Sequence, residues 1–380
     1  MTTQTEFRVL RSRAYETHGT LRDDIMDAVA QVIFNPISQG YRTREAFEAQ
    51  FAQAVGQRYA VGVHSATIGL LVALRACGIS PGDEVITVAN SDISTTGVIR
   101  HLGAVPVLCD VLESDYTLNV DLVEALITPK TRAVLPVDLH GHPADVRRLR
   151  DIANRHDLKI IEDAALAQGA HDYDKPVGAY ADVTVFSFAP VKPLGSVGNG
   201  GMLVTSDEEI HSGLRLYTYY GHAPTKEDIP VGHQNYIDEG YNAPLDPLQA
   251  ALLSVKLPYI GTWTEKRREV VKWYTEGLSG TAARLPTFRA DSAPTFRSYT
   301  VLVPNRQHVY EELRAAGVEV VLHYSPAIHH HPVYRDGLRG ADDLPITESL
   351  ADDLLSLPVT PELTETEIDY AITTLRKLID

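Results

Sequence analysis

Between about residue 59 and residue 206 the chain alternates short, nearly continuous apolar runs with segments of helical pattern. "YAVGVHS" reads as a strand and "ATIGLLVALRACG" as a helix closed by Gly78. "DEVITVAN", "AVPVLCDV", "RAVLPVDLHG" and "LKIIEDAA" read as further strands. "DISTTGVIRHLG", "VDLVEALI" and "ADVRRLRDIANRHD" read as the helices between them. Two apolar runs, "DVTVFSFAP" and "GGMLVTS", then arrive with only a loop between them. Strands without apolar–polar alternation are covered on both faces. The pattern predicts an α/β fold: a large domain whose mainly parallel sheet carries helices on both faces.

After residue 206 the pattern changes. "TWTEKRREVVKWYTEGL" reads as a long charged helix, more often a solvated face than a binding patch. "FRSYTVLV", "HVYEELRAAG" and "VEVVLHYS" read as strand, helix, strand, and "TEIDYAITTLRKLI" as a closing helix. A smaller α+β carboxy-terminal domain is expected, with the division at 1–250 and 251–380.

Composition narrows the function. A formal net charge of −16 argues against a general nucleic-acid binder or a membrane-surface protein. It leaves room for an anionic small ligand, which needs only a local set of donors. Cys77 and Cys109 lie in apolar stretches and offer no disulfide framework. The amino terminus lacks an apolar signal core, and the longest apolar runs fall short of a membrane span. A cytoplasmic location is expected.

Three places carry chemistry. "VHSATIGLL" sets Ser65, Ala66 and Thr67 where a strand gives way to a helix, a position that suits phosphate. An ordinary helix cap uses the same residues. "IIEDAA" sets Asp163 at the carboxyl end of a strand, where open α/β sheets bind ligands. Lys192 follows a buried strand too, between Pro190 and Pro193 and ahead of a glycine-dense loop. Phosphate donors, a carboxylate and an amine are the parts that pyridoxal 5'-phosphate requires.

"EDAALAQGA", "FSFAPVKPLGSVGNGG" and "GYNAPLDPLQAA" resemble the signature segments of the DegT–StrS family of sugar aminotransferases, of the aspartate-aminotransferase fold type I. The similarity extends through "HSATIGLLVALRACGISPGDEVITVAN", "LHGHPADV" and "LHYSPAIHHHPVYRDG", and so covers almost the whole chain. The resemblance implies that Lys192 is the Schiff-base lysine and Asp163 the partner of the pyridine nitrogen. It gives the phosphate to Ser187, Thr67 and the backbone amides of Ala66 and Ile68. Asn242 would reach the phosphate of a neighbouring subunit's cofactor, which implies a homodimer with shared sites. His323, Tyr324 and His329 would line the sugar-nucleotide side. Glutamate is the amino donor by the same analogy.

Several positions depart from the family pattern. Leu166 stands where Gln or His is frequent, Asp92 where an aromatic ring often covers the cofactor, Asn199 for an acidic residue and Pro244 for an arginine. Transfer to a keto-cyclitol such as an inosose is the alternative substrate reading, and a non-catalytic regulatory member the alternative class. The presence of Lys192 argues against that class. "HHH" at His329 to His331 and "HGH" at His140 to His142 are not expected to bind metal. Adjacent histidines diverge and no patterned carboxylate completes a ligand set, so loop or substrate contact is expected instead.

Overall fold

The computed structural model describes residues 7–222 and 235–380. Three helices come first, α1 (Ala14–Thr20), α2 (Arg22–Ile33) and α3 (Ile37–Ala54). The alternation follows as β1 (Tyr59–Val63), α4 (Ala66–Ala76), β2 (Glu84–Val88), α5 (Ile93–His101), β3 (Val105–Cys109), α6 (Val120–Leu126), β4 (Thr131–Val134), α7 (Val146–His156) and β5 (Lys159–Asp163). Two short strands, β6 (His171–Asp172) and β7 (Lys175–Pro176), precede β8 (Val183–Ser187) and β9 (Gly201–Thr205). Helices α8 (Glu208–Thr218), α9 (Pro247–Lys256) and α10 (Ile260–Leu278) lead on to the remainder.

The principal sheet has seven strands in the order β1-β9-β8-β5-β4-β2-β3. Only β9 pairs antiparallel with its neighbours, so the sheet is mainly parallel, as the apolar runs predict. Alternate residues of β8 and β9 feed different cores. Val183, Val185 and Leu203 pack on one face, while Phe186, Met202 and Val204 pack on the other with Phe47 and Phe51 of α3. Helices therefore cover both faces. Local chemistry agrees: α4 starts at Ser65, whose Oγ accepts the Ile68 amide at 3.3 Å, and α7 buries Val146, Leu149, Ile152 and Ala153 at helical spacing.

The last part of the chain contains β10 (Ser292–Ala293), β11 (Tyr299–Leu302), α11 (Arg306–Ala315), α12 (Pro345–Asp353), β12 (Leu354–Leu357) and α13 (Glu365–Ile379). A second core gathers Val270 and Tyr274 of α10, Tyr299 and Val301 of β11, Leu313 of α11, and Ile368 and Leu375 of α13. Val9 joins it from the amino-terminal segment.

One expected strand is not formed. β11 pairs antiparallel with β12, and the segment "VEVVLHYS" makes isolated bridges at Val318 and Val321. Val318 and Val320 are buried in the second core, Tyr324 packs on the first, and Leu322 touches both. The segment therefore crosses between two cores, and Pro326 beyond it has no amide to donate to a ladder.

Candidate active site

The carboxyl ends of the parallel strands and the start of α4 enclose a cavity of about 230 Å³. β5 ends on Asp163 and its parallel neighbour β8 ends on Ser187, so a carboxylate and a hydroxyl reach the same sheet edge. Ala66 and Thr67 line the cavity from the first turn of α4, and Lys192 from the loop joining β8 to β9. Tyr324 and Asp92 complete the wall, together with Leu166 and Asn199.

Asp163 is buried, with 6% of its surface exposed. Its Oδ1 accepts the Ala165 amide at 3.1 Å and its Oδ2 lies 3.5 Å from Thr95 Oγ1. Burial pushes this carboxyl up to about 6, against the pull of the Ala165 amide and the Lys192 amine. Burial also lowers the Lys192 amine to about 8, reinforced by the Arg297 guanidinium and opposed by Asp163 and Asp92. Loss of water thus outweighs the mutual attraction of the two groups. An amine near 8 has a usable free-base fraction near neutrality, which an ordinary lysine lacks.

The loop that carries Lys192 is tightly held. The Lys192 amide donates to Ala189 O at 2.9 Å, and Ser196 Oγ donates to Phe188 O at 2.8 Å. A Cβ on Gly195 would lie 2.5 Å from Pro190 O, and one on Gly201 would lie 2.9 Å from the Ala66 amide. Glycine at 195 folds the loop against its own proline; glycine at 201 lets α4 start beside β9. Gly195→Ala is expected to cost about 1–3 kcal/mol in denaturant unfolding, because backbone rather than a flexible side chain must yield.

The other expected residues divide. Ile68 gives its amide to the Ser65 cap and does not line the cavity, whereas Ala66 and Thr67 do. Of the three residues expected on the sugar side, Tyr324 lines the cavity. His323 stands behind, 5.1 Å from the Tyr324 ring and 6.3 Å from His140 between centroids. Burial, with Arg297, Arg11 and Lys192, lowers the His323 imidazole to about 3, so it is neutral. His329 is turned to Glu348, with 2.6 Å between Nε2 and Oε1. Asn242 lines a separate groove of about 990 Å³, with Arg44, Arg215, Tyr219 and Pro244.

Asp92 caps α5: its Oδ1 accepts the Ser94 amide at 2.9 Å and the Ser94 hydroxyl at 2.6 Å. Asp92→Ala is therefore expected to lower stability by about 1 kcal/mol. Asn in its place should retain most of the cap, and unfolding curves of the two variants separate the outcomes.

One histidine expectation needs correction. His329 and His330 do not diverge; both Nε2 atoms meet the Glu348 carboxylate, at 2.6 and 2.8 Å. These three side chains form a group that could hold a metal ion, which the sequence spacing did not reveal. His140 and His142 lie in the loop after β4, as expected, and both are buried. His140 Nδ1 lies 3.1 Å from both Ser298 Oγ and Thr300 Oγ1, and His142 Nδ1 lies 3.2 Å from Asp115 O.

Sequence reasoning missed Arg297 and Arg267, both buried near Lys192. A signal existed for Arg267. It falls on the α10 stripe of Thr264, Val271, Tyr274 and Leu278, all buried.

A half-buried amine, a buried acid and a hydroxyl-lined helix start at the edge of a doubly covered parallel sheet define an α/β enzyme of group transfer. A model of the DegT/DnrJ/EryC1/StrS aminotransferase family matches residues 20–376. The chain is 40% identical over 322 residues to dTDP-3-amino-3,4,6-trideoxy-alpha-D-glucose transaminase of Streptomyces venezuelae, covering 84% of this chain and 82% of that protein. The crystal structure of S. venezuelae DesV in complex with a ketimine intermediate superposes with a TM-score of 0.90 at 36% identity, covering 98% of both chains. That of NtdA from Bacillus subtilis with bound cofactor PMP gives 0.83 at 28% identity, covering 99% of this chain and 88% of that one. The chain belongs to the DegT/DnrJ/EryC1/StrS aminotransferase family.

Proposed function

We propose that this chain is a pyridoxal-phosphate-dependent aminotransferase that moves an amino group from an amino acid, glutamate in our reading, to a nucleotide-linked keto-deoxysugar. Lys192 and Asp163 meet on one cavity with the start of α4, and that convergence carries the assignment. The residues present fit the cofactor: Thr67 and Ser187 hydroxyls and the amides of Ala66 and Thr67 suit its phosphate, and buried Asp163 suits its ring nitrogen. When bound, pyridoxal phosphate supplies an electron sink for the bond broken at the amino-acid α-carbon.

The protein's own groups do the rest. Asp163 would hold a proton on the ring nitrogen of the bound cofactor. Lys192 Nζ, as a free amine, would take the proton from the donor's α-carbon and give one back. The Tyr324 phenol is kept protonated by burial and by Asp92 and Asp163, and so can donate to a sugar oxygen. Tyr324→Ala is expected to raise KM for the nucleotide-sugar about 10-fold while changing kcat little. A nucleoside-diphosphate keto-deoxysugar should restore the yellow form from the pyridoxamine form. If a free inosose does so and no nucleotide-sugar does, the substrate assignment fails.

Capture of the cofactor by the apoprotein tests the amine directly. Only unprotonated Lys192 can attack, so the rate of yellow holoenzyme formation should rise with pH and level off above about 8. A rate still climbing above pH 9.5 would mark an ordinary exposed lysine.

We read the Asn242 groove as the seat of a second copy. Met26, Ile33, Ile37 and Tyr41 on α2 and α3 are exposed, as are Phe34 between these helices and Ile237, and Tyr41 and Ile237 line the groove with Asn242. In a two-fold dimer, Asn242 would serve the neighbour's phosphate. Mixing inactive Lys192→Ala with inactive Asn242→Ala should then restore about a quarter of the sites, since half the dimers have one intact site. No recovery after verified subunit exchange would defeat the shared site. Both cysteines are free, which suits a reducing cytoplasm.

A further inference from the structure

Lys192 also lines a second, smaller chamber of about 30 Å³. Its charged lining is five cations, Arg11, Lys192, Lys256, Arg267 and Arg297, against one carboxylate, Glu362. The whole chain has 34 basic and 50 acidic residues, so this imbalance is local and opposite to the average. Arg297, Arg267 and Lys256 are 5%, 6% and 3% exposed. Buried charges of this kind normally have partners, because removal from water costs several kcal/mol per ion.

Here most of the partners are missing. Arg11 pairs with Glu319 at 3.3 Å, and Glu362 accepts the Thr17 and Thr360 hydroxyls. Lys256 Nζ donates to Gly195 O and lies 3.2 Å from His18 Nε2, and Arg267 reaches Val359 O at 3.4 Å while its Nε stays buried and unpartnered. Among the described residues, none of Lys192, Lys256, Arg267 and Arg297 forms an ion pair. Arg297 is placed firmly: its amide donates to His140 O at 2.8 Å, beside the amide of Thr295 donating to Gly141 O at 3.0 Å. Its guanidinium is the cation that acts most strongly on the Lys192 amine.

We propose that Arg297, supported by Arg267 and Arg11, binds the α-carboxylate of the amino donor beside Lys192. A guanidinium presents two parallel N–H groups that match the two oxygens of a carboxylate. The size of the chamber decides between anions. One water needs about 10–15 Å³ by this measure, so about 30 Å³ suits the two oxygens of a carboxylate and not a diphosphate. Position decides the end of the donor. The carboxylate beside Arg297 must lie next to the carbon whose proton Lys192 takes, because Lys192 stands between the chamber and the cofactor cavity. This rests on the aminotransferase reading above.

The test is the donor half-reaction of the holoenzyme, followed as loss of yellow colour. Glutamate and 4-aminobutyrate differ only by the α-carboxylate, and the wild type should favour glutamate. In Arg297→Gln that preference should shrink on the order of 30- to 100-fold, the contribution of charge-assisted hydrogen bonds to one carboxylate. Arg297→Lys should recover part of it, because the charge returns without the fork. Any change in the pH midpoint of Lys192 on loss of the Arg297 charge affects both donors alike, so the ratio isolates the carboxylate. Should the variants fail to fold, acetate with the wild type still decides: it should compete with glutamate and not with the keto-sugar. An unchanged glutamate preference overturns the proposal, as does acetate competing with the keto-sugar or a raised nucleotide-sugar KM with donor kinetics intact. If no amino acid bleaches the wild type, the aminotransferase reading itself has failed.

Discussion

Lys192→Ala is expected to lose amino transfer by about 10⁴-fold while keeping its fold. The side chain combines the two roles of nucleophile and proton carrier, and no second group on the cavity wall can replace it. Asp163 and Asp92 are acids, and Tyr324 is held protonated by burial. The substitution should not destabilise the apoprotein, since it removes a half-buried cation that has no ion-pair partner and stands among other cations. Thermal unfolding of the apo variant should match or exceed that of the wild type. Borohydride reduction of the yellow wild type should fix the cofactor on the peptide containing Lys192. The rival is Lys256, whose amine is also lowered to about 8 by burial. Lys256 faces the small chamber and not the cavity that holds Asp163 and Ser187. A label recovered on Lys256, or a Lys192→Ala variant that turns over near the wild-type rate, would overturn the assignment.

Asp163 and Lys192 were legible because parallel strands align their carboxyl ends, whereas Ser187 came only through the family resemblance. Any polar residue just past a buried run in such a sheet falls on one edge, however far apart in sequence. Thr67 was legible for a related reason, as the first turn of a helix after a strand. Strand order was not. Pairing of β1 with β9 joins Tyr59 to Thr205, and no local pattern specifies that register. β12 was hidden because α12 runs into it without a turn, so "LADDLLSLPV" shows neither a break nor alternation. The cationic chamber was the largest omission. In "TEKRREVVKWY" the charges read as a solvated face, and only the three- and four-residue spacing to Thr264, Val271 and Tyr274 marks Arg267 as the inward one. Arg297 carried no such mark. Its burial comes from the loop at His140, a contact made across the fold.

Asp163→Asn separates a chemical role from a structural one by sending two measurements in opposite directions. The amide keeps the shape and can still accept the Ala165 N–H, but it cannot hold a proton on a ring nitrogen. The rate should drop on the order of 10³-fold, the loss typical of removing one preorganised charge from a buried site. Stability should move the other way. The folded-state carboxyl lies at about 6, above its unfolded value near 4, so ionising it in the fold costs free energy. That cost is absent at low pH, grows as pH rises from about 4 to about 6, and is fully present at pH 7. Asparagine does not ionise and escapes it. The apo variant should therefore be more stable than the wild type at pH 7 by about 3 kcal/mol, with the difference vanishing below pH 4. A carboxylate kept for structure would give the reverse, a variant that is less stable and turns over almost normally. Rate and unfolding free energy measured on the same preparation at pH 7 decide between them.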